Sequence, residues 1–235
     1  MNLLLLDEGD FRAPGRVELR DRRLRHARRV LRTAPGEQLR VGLVGGRRGS
    51  GEVLRIDEEA LELAVCLDRE PPPKLPLTLI LALPRPKVLR RVLQAVTSLG
   101  AAHIYLIHAY RVEKSYWQSP FLEPTALEEQ LRLGLEQAGD TMLPKLEVRR
   151  RFRPFVEDEL PALAERSSAL VADPRGEEPC PRGLAGEVTL AVGPEGGFIP
   201  FELELLERAG CRPVHLGERI LRVETALPAL VGRIF

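Results

Sequence analysis

The chain has 235 residues, with 35 Lys and Arg, 34 Asp and Glu, and 44% hydrophobic residues. This composition excludes a disordered chain and is typical of a globular protein long enough for one large domain or two small ones. No apolar run approaches the length of a membrane span, and Met1–Leu6 lacks the basic start of a signal peptide. The three cysteines, Cys66, Cys180 and Cys211, are too few and too scattered for a disulfide framework or a zinc site. We therefore expect a cytoplasmic protein without a metal.

The first 70 residues have the pattern of a small β-rich domain. Four short strands are predicted, at Leu3–Leu6, Gln38–Leu43, Gly51–Ile56 and Leu61–Leu67. Turns are predicted at Gly45 and Gly46 and over Arg48–Gly51. One helix is predicted over Arg20–Arg32, with an inward stripe formed by Leu24, Ala27, Val30 and Leu31.

Positive charge is concentrated in this region. Between Phe11 and Arg55 there are thirteen arginines and four acidic residues. The outer face of the predicted helix carries Arg22, Arg25, Arg28, Arg29 and Arg32. Such a face is often only solvated, but like charges at helical spacing repel one another, which favours contact with the phosphates of a nucleic acid.

A proline-rich segment divides the chain. Pro71, Pro72, Pro73 and Pro76 predict a stiff, extended linker that cannot join a central strand. We therefore expect an N-terminal domain at 1–70, a linker at 71–76 and a second domain at 77–235.

Strands and helices alternate after the linker. Strands are predicted at Leu77–Leu83, His103–Ala109, Leu146–Phe152, Ala169–Ala172, Val188–Val192 and Pro213–Leu216. Helices are predicted at Lys87–Leu99 and Pro124–Ala138, near Pro154–Arg166, from Pro200 and up to Phe235. This alternation predicts an α/β domain with a mostly parallel sheet covered on both faces.

Two glycine-containing stretches stand out, Val188–Phe198 (VTLAVGPEGGF) and Leu216–Ala226 (LGERILRVETA). In each, a strand leads into a loop that precedes a helix, so exposed backbone N–H groups of the loop can hold a small ligand. No Gly-Lys-Ser/Thr follows the glycines, G-x-G-x-x-G is absent, and the acidic Glu195 disfavours phosphate. The loops therefore favour a ligand with hydroxyls, amines or a cationic centre.

Pro228 restricts where the last helix begins. Proline has no N–H, so it fits within the first turn, which places the N-cap at Thr225 or later. The alternative is a helix that begins at Arg222 or before and bends near Pro228.

The residues GPEGGF, Glu202 and LGERILRVETA together resemble the C-terminal signature of the RsmE-type ribosomal RNA methyltransferases of the SPOUT superfamily. Weaker matches are His26 with Val30–Arg32, Glu136–Gly139 and Asp173–Arg175. The resemblance implies an N-terminal PUA-like β-barrel, a trefoil-knotted C-terminal methyltransferase domain and a homodimer. Ala95, Ser98, Tyr110 and Asp140 depart from the family's pattern, which leaves the finer RNA contacts open.

The same resemblance implies methyl transfer from S-adenosyl-L-methionine to N3 of a uridine in 16S ribosomal RNA. It implies cofactor binding by Ala172, Gly193, Pro194, Glu195, Gly196, Gly197, Leu216, Gly217, Ile220, Leu221, Arg222, Thr225 and Ala226. Arg222 is the expected catalytic group, with Glu224 to orient it, and an ion pair with Glu218 or Glu224 is the structural alternative. The basic residues expected to contact RNA are Arg22, Arg25, Arg29, Arg32, Arg85 and Arg111. A tRNA methyltransferase of the same superfamily and a non-catalytic RNA-binding protein remain alternatives.

Overall fold

The computed structural model describes residues 2–235, which divide into two compact units. The first unit contains the chain up to Pro73 together with Arg132–Leu143. The second contains Lys74–Leu131 and Pro144–Phe235. The first division falls in the proline-rich segment, but the first unit also takes in a segment from the middle of the sequence. No helix within residues 2–235 is long and apolar enough to cross a membrane.

The first unit is built on a curled six-stranded sheet. Its strands are β1 (Leu4–Leu6), β2 (Phe11–Ala13), β3 (Arg16–Leu19), β4 (Gln38–Leu43), β5 (Arg48–Ile56) and β6 (Leu61–Arg69). The strand order is β1-β4-β5-β6-β3-β2, and every pairing is antiparallel except the parallel pairing of β1 with β4. This sheet confirms the predicted β-rich, barrel-like N-terminal region.

Both faces of β1 are buried. Successive side chains of a strand point to opposite sides, so Leu4 and Leu6 join the core formed with Val17, Val41 and Leu63 and their neighbours. Leu3 and Leu5 pack on the other side, in a cluster with Leu135. This double burial explains the unbroken run of leucines at the start of the sequence.

The predicted helix over Arg20–Arg32 is shorter and less regular in the structure. Helix α1 covers Arg22–His26, with Asp21 as the N-cap that accepts a hydrogen bond from the Arg23 N–H. A π-helical turn follows over Ala27–Leu31, and the wider turn moves later side chains off the 3.6-residue stripe. Leu24 and Ala27 are buried as predicted, but Val30 and Leu31 are 64% and 43% exposed, so their predicted inward position was wrong.

The turn predicted over Arg48–Gly51 was also wrong, because these residues begin β5. Gly49 lies where the backbone of β6 approaches so closely that a Cβ would overlap the Cys66 carbonyl oxygen. Glycine in a strand often marks such a close backbone approach rather than a turn.

The second unit is an α/β domain with seven parallel strands. They are β7 (Leu75–Ala82), β8 (Ala101–Ile107), β9 (Lys145–Arg149), β10 (Ser168–Ala172), β11 (Glu178–Pro179), β12 (Val188–Val192) and β13 (Arg212–His215). The order is β11-β13-β10-β12-β7-β8-β9. The helices are α2 (Pro86–Ser98), α3 (Pro124–Ala138), α4 (Phe152–Pro154), α5 (Leu160–Ala164), α6 (Pro200–Arg208) and α7 (Val223–Ile234). Of α3, only the part before Arg132 belongs to this unit. The predicted parallel α/β sheet is confirmed, and the knot stays a prediction.

The prolines had predicted a linker at 71–76 that ends before the sheet begins, but the sheet begins within these residues. Pro76 belongs to β7, which lies between β12 and β8. The pairing of β7 with β8 is irregular between Leu75 and Thr78, and regular pairing with β12 begins at Leu77. The proline therefore lies in an irregular strand start, where a missing N–H is tolerated.

Two arginines of α1 form ion pairs inside the first unit. Arg22 binds the carboxylate of Glu136 through two hydrogen bonds of 2.9 and 2.6 Å, and the Glu136 side chain is only 2% exposed. Arg23 is buried and binds Asp10 and Asp21. Although burial of Arg23 opposes its charge, these hydrogen bonds raise the pKa of its guanidinium above the ordinary value. The sequence had indicated that the arginines on the outer face of this helix repel one another without acidic partners. The ion pair of Arg22 with Glu136 shows that this is not true of all of them.

The ion pair with Glu136 predicts a cost in stability for Arg22→Ala. Removing one partner leaves a buried carboxylate without its cation, and because Arg22 is 37% exposed we expect a loss of about 2 kcal/mol, below the 3–5 kcal/mol typical of fully buried pairs. Urea denaturation followed by circular dichroism measures the change. Arg25→Ala, which removes an exposed arginine of the same helix, is the matched control and should change stability by less than about 0.5 kcal/mol. Equal losses for the two variants would contradict the structural role of Arg22.

Candidate functional site

A cavity of about 250 Å³ lies at the carboxyl ends of β10, β12 and β13. This is close to the lower limit of small-molecule sites, about 300–1,000 Å³. Its walls are Ala172, Asp173, Pro174, Val192, Gly193, Pro194, Glu195, Gly197, Val214, His215, Leu216, Gly217, Arg219, Ile220, Leu221, Arg222, Val223, Ala226 and Leu230. Ligands of open α/β sheets bind at this edge.

The cavity brings together most of the residues predicted to bind a cofactor. The predicted residues that line it are Ala172, Gly193, Pro194, Glu195, Gly197, Leu216, Gly217, Ile220, Leu221, Arg222 and Ala226. Gly196 and Thr225 are not among the lining residues. The eight lining residues absent from the predicted set are Asp173, Pro174, Val192, Val214, His215, Arg219, Val223 and Leu230. Asp173 follows a predicted strand end, which is a signal for such a position.

The loop after β12, at residues 193–198, turns tightly and leaves open space where its glycines lack side chains, and we call it the glycine loop. The Gly197 N–H donates to the Pro194 carbonyl at 2.7 Å, and Gly197 has a φ of +70°, which L side chains rarely adopt. A Cβ on Gly193 would lie 3.1 Å from the Phe198 backbone nitrogen, whereas a Cβ on Gly197 would meet nothing within 4 Å. The glycines therefore permit the turn and keep the cavity open.

Three hydrogen bonds tie this loop and α6 to the loops after β7 and β8, and we call them the cross-loop bonds. Glu195 accepts from the Arg85 N–H at 3.0 Å, and the Arg111 guanidinium donates to the Gly196 carbonyl. Glu202, which is 4% exposed, accepts from the Tyr110 N–H at 2.7 Å.

Glu202 and Glu195 also satisfy the ends of two helices. Glu202 lies in the first turn of α6, as predicted, and accepts from the Ile199 N–H at 3.0 Å. Glu195 caps the start of α2, because Arg85 is the N-cap residue of that helix. The negative charge of Glu195 therefore lies at the positive end of the α2 dipole, where it is stabilising.

Asp173 is a buried carboxylate on the cavity wall. Burial opposes its ionisation, but hydrogen bonds from the Arg175 side chain and N–H hold the pKa of Asp173 below its ordinary value. Arg175 also donates to the Phe198 carbonyl at 3.1 Å. The pair therefore connects the end of β10 to the glycine loop while keeping a negative charge at the cavity.

The last helix begins at Val223, so the predicted N-cap at Thr225 was wrong. Arg222 is the N-cap residue, with an extended backbone of φ −69° and ψ 153°. Pro228 lies inside the helix and cannot donate to the Glu224 carbonyl, which loses its usual partner. Burial of Leu227 and Leu230 on either side of Pro228 supports the helix despite this loss.

Arg222 faces the cavity on this extended backbone and is exposed. Within residues 2–235 its guanidinium has no ion pair, so the alternative of a structural pair with Glu218 or Glu224 does not occur in the structure. Within residues 2–235 no hydrogen bond or ion pair joins Glu224 to Arg222, so the predicted orienting role of Glu224 has no support from the structure. A free planar cation therefore stands at the mouth of the cavity.

The arginines predicted to contact RNA have different surroundings. Arg25, Arg29 and Arg32 are exposed, and none of them forms an ion pair within the described residues 2–235. Arg22 is held by Glu136. In the second unit, Arg85 and Arg111 are exposed and take part in the cross-loop bonds. Among residues 2–235, no group of His, Cys, Asp and Glu is arranged to hold a metal ion.

Comparisons with known proteins agree over both units. Residues 70–234 match the family model of the RNA methyltransferase domain, and residues 19–66 match that of the RNA methyltransferase PUA domain. The chain is 33% identical to a ribosomal RNA small subunit methyltransferase E of Treponema pallidum, over 96% of this chain and 87% of that protein. It is 23% identical to one from Borreliella burgdorferi, over 96% and 94% of the two chains.

A solved structure has the same fold. The crystal structure of a ribosomal RNA small subunit methyltransferase E from Neisseria gonorrhoeae, bound to S-adenosyl methionine, superposes with a TM-score of 0.74. The two chains are 24% identical, and the superposition covers 98% of this chain and 95% of the other. From these matches, the chain belongs to the RNA methyltransferase family that includes the ribosomal RNA small subunit methyltransferases E, and it carries that family's PUA domain.

Proposed function

We propose that the chain is an S-adenosyl-L-methionine-dependent methyltransferase that methylates N3 of a uridine in 16S ribosomal RNA, in the cytoplasm. The observation that carries the proposal is the free guanidinium of Arg222 at the mouth of a glycine-lined cavity. Family membership supports RNA as the substrate, and the name of the Treponema pallidum relative supports ribosomal RNA. The choice of N3 follows from the RsmE-type resemblance.

The cavity fits S-adenosyl-L-methionine by the chemistry of its walls. Val192, Leu216 and Leu230 provide apolar surface, and the glycine loops present backbone groups to polar edges of a ligand. A Cβ on Gly197 or Gly217 would enter open space, so at both positions the missing side chain leaves room. The carboxylates of Asp173 and Glu195 suit a ligand with a cationic centre. When bound, this cofactor supplies an activated methyl group.

Arg222 would assist the transfer through charge stabilisation. The imide N3 of uracil keeps its proton at neutral pH, so it has to lose that proton before or during its attack on the methyl group. As the proton leaves, negative charge develops on the two flanking carbonyl oxygens. A planar guanidinium can donate to both oxygens in a fixed geometry, and preorganised donors of this kind lower the barrier. Because Arg222 is not held by a carboxylate, it is free to bind the uracil.

The two units would divide the work of binding RNA. Arg25, Arg29 and Arg32 of the first unit are exposed cations suited to phosphates. In the second unit, Arg85 and Arg111 are hydrogen-bonded to the glycine loop. Arg22 is withdrawn from this role because its guanidinium is bound to Glu136.

We also propose a homodimer, which the resemblance implies. Its interface does not use the apolar side chains of α7. Leu227, Leu230, Val231 and Ile234 are at most 1% exposed in the single chain, so they stabilise its own fold.

Gly197→Val is predicted to abolish binding of S-adenosylhomocysteine, measured by calorimetry, because a branched side chain would fill the cavity. Gly36→Val is the matched control, since Gly36 also has a positive φ, +87°, and a Cβ there also meets nothing within 4 Å. The control imposes similar backbone strain outside the cavity and should bind normally. Normal binding by Gly197→Val would refute the placement of the cofactor.

Arg222→Lys is predicted to bind S-adenosylhomocysteine nearly normally and to transfer methyl groups about a hundredfold more slowly. Lysine keeps the charge but cannot present two donors in a plane, and loss of one preorganised donor typically slows a reaction 10²–10³-fold. Methyl transfer to ribosomal RNA from a strain lacking the protein is the measurement. Arg219→Lys, at another arginine of the cavity wall, should retain activity. Full activity of Arg222→Lys would remove its catalytic role.

Replacing Arg25, Arg29 and Arg32 together with Ala is predicted to weaken RNA binding and to flatten its salt dependence. Each lost phosphate contact lowers the slope of log affinity against log salt by about one. Fluorescence anisotropy at several salt concentrations measures both quantities.

The control for this triple variant removes the same charge from paired arginines of the same unit. Arg12 and Arg20 bind Glu18, and Arg55 binds Asp57. Replacing these three with Ala should change the slope little. The same slope change in both triple variants would show that only net charge matters.

A further inference from the structure

Aromatic residues are concentrated in the segment after β8. Residues 108–123 contain two of the chain's three tyrosines, Tyr110 and Tyr116, and its only tryptophan, Trp117. We call this segment the aromatic loop. It begins at the same sheet edge as the cavity, because β7, β8 and β12 are parallel neighbours.

Most rings of the aromatic loop are held in place. The Trp117 indole N–H bonds the His108 Nδ1 atom at 2.9 Å, and the Arg150 guanidinium lies 5.4 Å from the centre of the Trp117 ring. Phe121 has Arg90 over its face at 5.0 Å. These contacts secure the loop and bring arginines to its surface.

Tyr110 differs from these rings. It is 76% exposed, and within residues 2–235 no aromatic or cation–π contact involves its ring. Its backbone is nevertheless fixed, since the Tyr110 N–H donates to the buried Glu202 carboxylate at 2.7 Å. An exposed aromatic ring on a fixed backbone is suited to bind a flat partner with little loss of conformational entropy.

The position of Tyr110 relates it to the cavity. The next residue, Arg111, is exposed and donates to the Gly196 carbonyl in the glycine loop. Arg85 is also exposed, and its N–H donates to Glu195 of the same loop. Lys114 adds another exposed cation to the aromatic loop. An aromatic face beside several cations is the combination that holds single-stranded nucleic acid, through base stacking and phosphate contacts.

We infer that Tyr110 stacks on a base of single-stranded RNA beside the nucleotide that enters the cavity, with Arg85, Arg111 and Lys114 contacting phosphates. This inference rests on the proposed function, because it requires an RNA substrate at this edge of the sheet. It identifies the substrate segment as unpaired, since a base in a duplex has no free face for the Tyr110 ring.

The test compares Tyr110→Ala and Tyr110→Phe in binding two fluorescent dodecamers, oligouridylate and the fully abasic backbone, in the presence of S-adenosylhomocysteine. Tyr110→Ala should bind oligouridylate about tenfold more weakly, which is within the usual energy of one base stacked on an aromatic ring. It should bind the abasic backbone with unchanged affinity. Tyr110→Phe, which keeps the ring, should bind both as the unaltered protein does. Phe235→Ala removes another exposed ring outside the aromatic loop and should have no effect.

Calorimetry with S-adenosylhomocysteine separates this inference from the proposed function. Unchanged cofactor affinity of Tyr110→Ala shows that the fold and cavity are intact. If the unaltered protein binds no S-adenosylhomocysteine, the proposed function fails. If it binds the cofactor, an equal loss of affinity for both dodecamers, or no loss for either, overturns the stacking role of Tyr110.

Discussion

The cross-loop bonds hold the carboxyl edge of the parallel sheet in one arrangement. Glu202 is the central group, because its buried carboxylate accepts N–H groups from Ile199 and from Tyr110, which are far apart in sequence. A buried carboxylate requires such donors, and the backbone N–H groups equally require an acceptor. The requirement is mutual, so the start of α6 and the loop after β8 are fixed together. The shape of the candidate site depends on this bond.

Three carboxylates hold the site together, whereas two other side chains have no partner among residues 2–235. Glu195, Glu202 and Asp173 are engaged with backbone or arginine donors, so they define the loops. Arg222 and Tyr110 stand on fixed backbone but have side chains without such partners. A rigid backbone under a free side chain is the arrangement that favours tight binding with little reorganisation.

The sequence predicted regular elements well and local exceptions poorly. The bounds of β4 and α3 agree with the structure at both ends, because their flanking signals coincide with their apolar periodicity. The exposure of Val30 was missed because a π-helical turn departs from the 3.6-residue period of an α-helix. The helix start at Val223 was missed because proline was expected only within the first turn of a helix. Most of the cavity could be anticipated from the two glycine loops. The bond between Glu202 and Tyr110 could not, because no local pattern in the sequence indicates a contact across 92 positions.

The first unit is not a continuous stretch of sequence, and this affects how it can be inherited. The N–H groups of Asn2 and Leu3 donate to the Glu136 carbonyl at 2.8 and 3.1 Å, and Leu135 completes a cluster with Leu3 and Leu5. A gene fragment ending at Pro73 would therefore encode the curled sheet with an uncovered leucine face. Genetic exchange at the prolines would separate this sheet from residues 132–143, which belong to the same unit.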